Sequence, residues 1–319
     1  MDLNNVAPDR REVLEKIALY ERQRRFDEDV ENDPPAPVLL PDRVDYLNKK
    51  LKSRIATGIS NFIADHYFTR LIKKDVLIID GVEGKENLAA LKGGAMITCN
   101  HFSPFDNYVI YKSIEKELPK GKLYKVIREG NYTNFPGLYG FFFKHCNTLP
   151  LSSNPRTMIN FLSAVNVLLT RGETVLLYPE QAMWWNYRKP RPLKLGAFKM
   201  ACRAGVPVVP MFITMRDDER LDGSGYPVQR HTLHVLDPIY PDKTLSERAA
   251  AERMKETNYH LLGHFLRICS LLLAKTRQNH GLDWQDHQPD FPSLPRGPRH
   301  PGAHPSGCGS CRCGARCSV

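Results

Sequence analysis

Ala95-Met-Ile-Thr-Cys-Asn-His-Phe-Ser-Pro-Phe-Asp106 changes character twice within one short stretch. Residues 95–99 are an apolar run of strand type that stops at Asn100. Pro104 favours a turn, and Asp106 is placed to open a helix predicted over 106–117. The same grammar extends in both directions. Strand-like runs fall at Val76–Ile79, Lys122–Val126, Asn147–Leu151, Thr174–Tyr178 and Val206–Phe212, and helical stretches at 135–144 and 155–171 separate several of them. Short apolar β-rich runs alternating with helices predict an α/β layered fold with a mainly parallel central sheet flanked by helices. A last strand at Thr232–Leu236 precedes a long helix from Thr244 to near Lys275.

Upstream, residues 1–75 form an N-terminal helical segment. Arg10–Phe26 reads as one helix, with Val13, Ile17, Ala18 and Tyr20 approximating its apolar face. Asp33-Pro-Pro-Ala-Pro37 then breaks any helix. A second helix is expected over Asp42–Lys74, because Val44, Leu47, Leu51, Ile55, Ile59, Phe62 and Ile63 recur at helical spacing. The body of the fold is assigned to 76–276. From 277 to 319 the pattern collapses into Pro, Gly, Arg and His, followed by Cys308, Cys311, Cys313 and Cys317. Such a tail cannot bury enough apolar surface to offset its ordering entropy, and disorder is expected. A zinc site on those cysteines lacks a paired second half upstream, so no metal is expected.

With 319 residues, 42% hydrophobic and 25% charged, the chain has the profile of a globular protein with a full core. No run of about 18–20 uncharged apolar residues exists, which excludes a polytopic membrane protein. The N-terminus has no apolar core of signal-peptide type, and a cytoplasmic protein is expected. Cys99, Cys146, Cys202 and Cys269 stand singly among apolar neighbours, as buried reduced thiols do. The +10 formal charge favours an anionic partner.

The chemistry concentrates in two places. His101 and Asp106 follow a strand and can be joined by a turn, so that the carboxylate holds one ring nitrogen and leaves the other as a general base. Val175-Leu-Leu-Tyr-Pro-Glu180 is a buried-strand run that sets a carboxylate at a strand's C-terminal edge, where α/β sites gather. No acidic residue follows between Gln181 and Met215, whereas Arg188, Lys189, Arg191, Lys194, Lys199 and Arg203 all lie there. Cations without a counter-charge beside a site-edge glutamate suit a phosphate.

In order, His-x-x-x-x-Asp after a strand, Pro179-Glu180, Lys194-Leu-Gly-Ala197 and Val206-Pro-Val-Val-Pro210 resemble the glycerolipid acyltransferases, and among them the bacterial-type 1-acyl-sn-glycerol-3-phosphate acyltransferases. The resemblance covers about residues 76–240. It implies that His101 and Asp106 are catalytic and that Glu180 belongs to the phosphate-binding block. It also implies an acyl thioester donor (acyl-CoA or acyl-carrier protein), a lysophospholipid acceptor and no further cofactor. Two blocks depart from the family pattern. Glu-Gly-Thr-Arg reads Glu180-Gln-Ala-Met183, and the block ending in Asp-Arg reads Leu149-Pro-Leu-Ser-Ser153, so both arginines are missing. Arg156, Arg188, Lys189, Arg191 and Lys194 are the candidates to hold a phosphate in their place.

A lysolipid acceptor requires contact with a bilayer. The helix around 42–74 carries Lys49, Lys50, Lys52, Arg54, Arg70, Lys73 and Lys74 beside its apolar stripe, which suits an anionic membrane surface. A nucleic-acid partner is not expected, because no helix-turn-helix, RNP-like or zinc-finger pattern accompanies the charge. The alternatives are an acyltransferase for a non-phosphate acceptor and a non-catalytic anionic-lipid-binding protein. A hydrolase using Cys99 or Ser103 lacks the Gly-x-Ser-x-Gly turn that exposes a nucleophile.

Overall fold

The computed structural model describes residues 6–32 and 35–280. The elements run α1 (Pro8–Arg22), α2 (Leu51–Lys73), β1 (Ile78–Glu83), α3 (Glu86–Ala89), β2 (Ala95–Thr98), α4 (Asp106–Ile114), β3 (Leu123–Ile127), α5 (Glu129–Thr133), α6 (Gly137–His145), β4 (Thr148–Pro150), α7 (Pro155–Thr170), β5 (Thr174–Leu177), α8 (Gly196–Ala204), β6 (Val208–Leu221), β7 (Pro227–Val235) and α9 (Glu247–His280). The strands form one sheet in the order β1-β7-β6-β2-β5-β3-β4. All neighbours pair in parallel except the β6/β7 hairpin. The expected layered architecture is therefore present, with one antiparallel pair inside it.

Period-2 alternation divides the core. Ile97, Leu176, Val209 and Met211 face one side, against Val109, Ile110 and Ile114 of α4. Met96, Val175 and Val208 face the other, against Phe161, Val165 and Leu168 of α7, Ala197, Phe198 and Ala201 of α8, and Met254 of α9. Because helices cover both faces, the central strands read as unbroken apolar runs rather than alternating ones. Thr98 of β2 lies opposite Leu177 of β5. The chain leaving β2 towards His101 and the chain leaving β5 towards Glu180 consequently rise side by side from the same edge of the sheet.

Several boundaries differ from expectation. The helix predicted from Asp42 begins only at Leu51. The Asp45 carboxylate accepts from the backbone N–H groups of Lys49 and Lys50 at 3.0 and 2.9 Å, and Asn48 turns left-handed at φ 49°. Val44 and Leu47 therefore pack on the core from an irregular segment rather than a helix face. In α2 proper the apolar stripe points outward: Leu51, Ile55, Ile59 and Phe62 are all more than half exposed. The helix rests on the domain through Ser60, Ala64, Tyr67 and Phe68 instead. The first helix ends at Arg22, and its buried Val13 and Ile17 pack with Val30, Ala182 and Trp184. At the other end α9 continues to His280, past the expected boundary at 276. The remainder of the tail, with its four cysteines, lies outside the described residues.

Candidate active site

Asn100 organises the exit from β2. Its side-chain oxygen accepts from the Ile213 N–H at 2.8 Å, and its amide donates to the Ile213 carbonyl at 3.1 Å. The side chain thus replaces a strand's ladder bonds just where β2 ends, and the next residue, His101, emerges from the sheet. After a short turn Asp106 opens α4, with its side chain fully buried.

His101 Nδ1 lies 2.7 Å from Asp106 Oδ2. The same oxygen accepts from the backbone N–H groups of Phe102 and Ser103 at 3.2 and 3.4 Å. Asp106 Oδ1 accepts the Tyr178 hydroxyl at 2.8 Å. A carboxylate held by that many donors stays an acceptor, so His101 carries its hydrogen on Nδ1 and presents Nε2 as a base. Nε2 makes no hydrogen bond to protein among the described residues, and the side chain is 22% exposed. Tyr178 stacks on the imidazole with ring centroids 4.1 Å apart and planes within 9°. Burial, then the Asp106 charge, pushes its hydroxyl well above the ordinary tyrosine range. It therefore remains a donor. Burial likewise raises the neighbouring Cys99 thiol, which disfavours a thiolate nucleophile there.

Glu180 also converges on this edge, although its geometry is that of a clamp. It is nearly buried and accepts from the Arg191 N–H at 3.0 Å, from the Arg191 guanidinium at 3.0 Å and from the His101 N–H at 3.4 Å. Arg191 has no exposed surface. Its guanidinium also donates to the Ala182 carbonyl and lies 4.8 Å from the Trp184 ring. In this arrangement the side chains of Glu180 and Arg191 are paired with each other and closed to solvent. The loop they close is stitched to the histidine turn, with the Trp184 N–H donating to the His101 carbonyl at 3.1 Å and the Asn186 N–H to Phe102 at 2.9 Å.

Three of the remaining candidate cations carry counter-charges as well. Arg188 pairs with Asp217 and donates to Gln229, Lys189 lies 2.6 Å from Glu21, and Lys194 lies 2.7 Å from Asp27. The acid-free run in the sequence borrows its carboxylates from β6 and from the segment around α1. Arg203 does the same with Glu247 of α9 at 3.2 Å. Arg156 sits exposed in the first turn of α7, where its N–H donates to the Asn154 cap at 3.0 Å. Ser152 and Ser153, which stand in one of the divergent blocks, both donate to Glu129, at 2.7 and 2.9 Å.

Sequence reasoning assigned no role to Tyr178, Asn100 or the carboxylates of residues 21–29. Tyr178 was within reach, because the period of β5 places it on the same face as Leu176, beneath the histidine turn. The carboxylates were not, since nothing local links Glu21 to Lys189.

Residues 81–214 match the family model described as Acyltransferase. That span holds His101, Asp106, Tyr178, Glu180 and all five candidate cations. Over 131 residues the chain is 30% identical to the Brassica napus protein named 1-acyl-sn-glycerol-3-phosphate acyltransferase BAT2, chloroplastic, a stretch covering 41% of this chain and 36% of that protein. It is also 30% identical over 131 residues to the Arabidopsis thaliana protein named 1-acyl-sn-glycerol-3-phosphate acyltransferase LPAT1, chloroplastic, covering 41% and 34%. The matched stretch thus spans about a third of the length of these curated relatives. Among solved structures, the 1-acyl-sn-glycerophosphate acyltransferase PlsC of Thermotoga maritima aligns with a TM-score of 0.44 at 17% identity, covering 69% of this chain and 84% of that one.

Proposed function

We propose that this chain, whose residues 81–214 match the acyltransferase family model, transfers an acyl group from an acyl thioester to the free hydroxyl of a lysophospholipid. The preferred acceptor is 1-acyl-glycerol-3-phosphate, giving phosphatidic acid, and the donor is acyl-CoA or acyl-carrier protein. The observation that carries the reading is the His101–Asp106 pair at 2.7 Å with Nε2 left unengaged. Nε2 takes the proton from the acceptor hydroxyl as that oxygen attacks the thioester carbonyl. The tetrahedral adduct then expels the thiolate, which leaves as the thiol with the proton returned by the imidazolium. Asp106 fixes the tautomer and stabilises the cation. A thioester is already activated, so no covalent enzyme intermediate is needed.

The acceptor headgroup is assigned to Arg188, Lys189 and Lys194, which retain about 40% side-chain exposure and could exchange a carboxylate for a phosphate. Because each of them is already ion-paired, a second reading is favoured by the same residues, namely an uncharged acceptor. Membrane contact is assigned to the exposed apolar stripe of α2 and its flanking lysines and arginines, which suits peripheral attachment to an anionic cytoplasmic surface. No helix of the described residues is long and apolar enough to cross a membrane.

The deciding experiment follows thiol release by purified protein given a thioester donor and, in turn, lysophosphatidic acid and monoacylglycerol. Transfer to the first with a loss of about 10²–10⁴-fold in His101→Ala is the expected result. Wild-type turnover by a folded His101→Ala protein would sink the mechanism. Preference for monoacylglycerol would select the second reading.

A further inference from the structure

Tyr178 touches both members of the dyad, and in two different ways. Its ring lies flat on the His101 imidazole, and its hydroxyl binds the Asp106 oxygen that does not face the histidine. A side chain whose only duty was to fill the core would need neither the parallel stack nor a hydroxyl directed at a carboxylate. Tyr178 also packs against the main core, in the same group of side chains as Leu176 and Phe102. The ring is thus anchored by core packing as well as by its contacts with the dyad.

We propose that Tyr178 is the positioning residue of this site, setting the plane of His101 through its ring and the orientation of Asp106 through its hydroxyl. The inference rests on His101 acting as the general base. The imidazole can rotate about its Cβ–Cγ bond, and only one plane directs Nε2 outward while Nδ1 meets Asp106. The stack at 9° removes that freedom, because rotating the ring would drive its edge into the tyrosine. The carboxylate is fixed by complementary means. Two backbone N–H groups and Nδ1 engage Oδ2, and the phenol is the partner of Oδ1. Without the phenol, Oδ1 would be a buried charged oxygen lacking its hydrogen bond. The hydroxyl also draws part of the anionic charge away from Oδ2. Its removal concentrates that charge on the oxygen facing Nδ1 and favours the imidazolium. The phenol loses no proton at any point; it donates one hydrogen bond throughout.

The two contacts can be separated. Tyr178→Phe keeps the ring and deletes the hydroxyl, whereas Tyr178→Leu keeps apolar volume and deletes both. With saturating donor and acceptor, Tyr178→Phe is expected to lower kcat about tenfold with KM nearly unchanged, in line with one hydrogen bond to a charged group. The acidic limb of its kcat/KM profile should move to higher pH by roughly half a unit or more. Tyr178→Leu should lose a further tenfold or so. A purely structural tyrosine would lower thermal stability but would leave the pH profile in place.

His101→Ala measured alongside separates the two claims. If it is inactive while Tyr178→Phe keeps wild-type kcat and an unmoved acidic limb, the positioning role is overturned and the base assignment stands. If His101→Ala retains wild-type turnover, both fall. Should Tyr178→Leu fail to fold, Tyr178→Phe decides alone, with its circular dichroism and melting curve as the check that it is native.

Discussion

Glu180→Gln removes one charge from a pair with almost no access to water, so its cost can be worked from the geometry. The side chains of Glu180 and Arg191 are 3% and 0% exposed, and their contact is 3.0 Å. Glutamine keeps the shape and can still accept from the Arg191 N–H, but the guanidinium is left as a buried cation. Its Nε already has no acceptor among the described residues. Its other supports are the carbonyls of Ala182 and Phe26 and the face of Trp184. Breaking a buried pair by removing one partner costs about 3–5 kcal/mol, and the retained dipoles place this case near 3. For a domain of this size that corresponds to a fall in Tm of about 6–12 °C. Thermal and urea unfolding of the full chain measure it. Adding Arg191→Met should recover part of the loss, because the orphaned charge is then removed as well. Activity should fall with stability, since the loop carries the Trp184 N–H that binds the His101 carbonyl. If Glu180→Gln changes stability by less than about 1 kcal/mol but raises KM for lysophosphatidic acid severalfold, the clamp reading is wrong and Glu180 faces the acceptor.

Two further outcomes follow from other parts of the molecule. Replacing Ile55, Ile59 and Phe62 together by Ser should abolish flotation with anionic vesicles while lowering the melting temperature by no more than about 5 °C, as expected for exposed positions; unchanged flotation would remove α2 as the membrane contact. His231 is buried against Phe102 and lies 2.9 Å from the Ile78 carbonyl; burial lowers its pKa despite that bond. The folded state then binds fewer protons than the unfolded one, so this contribution to stability is complete above the unfolded value of 6.5 and is lost as pH falls below it. Urea midpoints at pH 7.5 and 5.5 should therefore diverge less in His231→Gln than in the wild type, and equal divergence would contradict the assignment.

The layered α/β architecture was legible because it is written in local patterns. Apolar runs at 95–99 and 174–178 are strands whatever lies elsewhere, and a parallel sheet covered on both faces needs no more than those runs and the helices between them. The dyad was legible for the same reason, since His101 and Asp106 are joined by a single turn and their meeting depends on five residues of chain. Failure came wherever a partner lay far along the sequence. The stretch from Gln181 to Met215 contains no acid, and in sequence its cations look unneutralised. In space Glu21, Asp27 and Asp217 lie beside them. Helical periodicity marked the apolar stripe of α2 correctly and was silent on which way it faces, because the face is chosen by what α6 and α4 offer it: Phe142, Tyr139 and Tyr108 take Tyr67 and Phe68, leaving Ile55 and Phe62 outside. Periodicity depends on neighbours a turn or two away, whereas counter-charge and exposure depend on whichever segment the completed fold brings alongside.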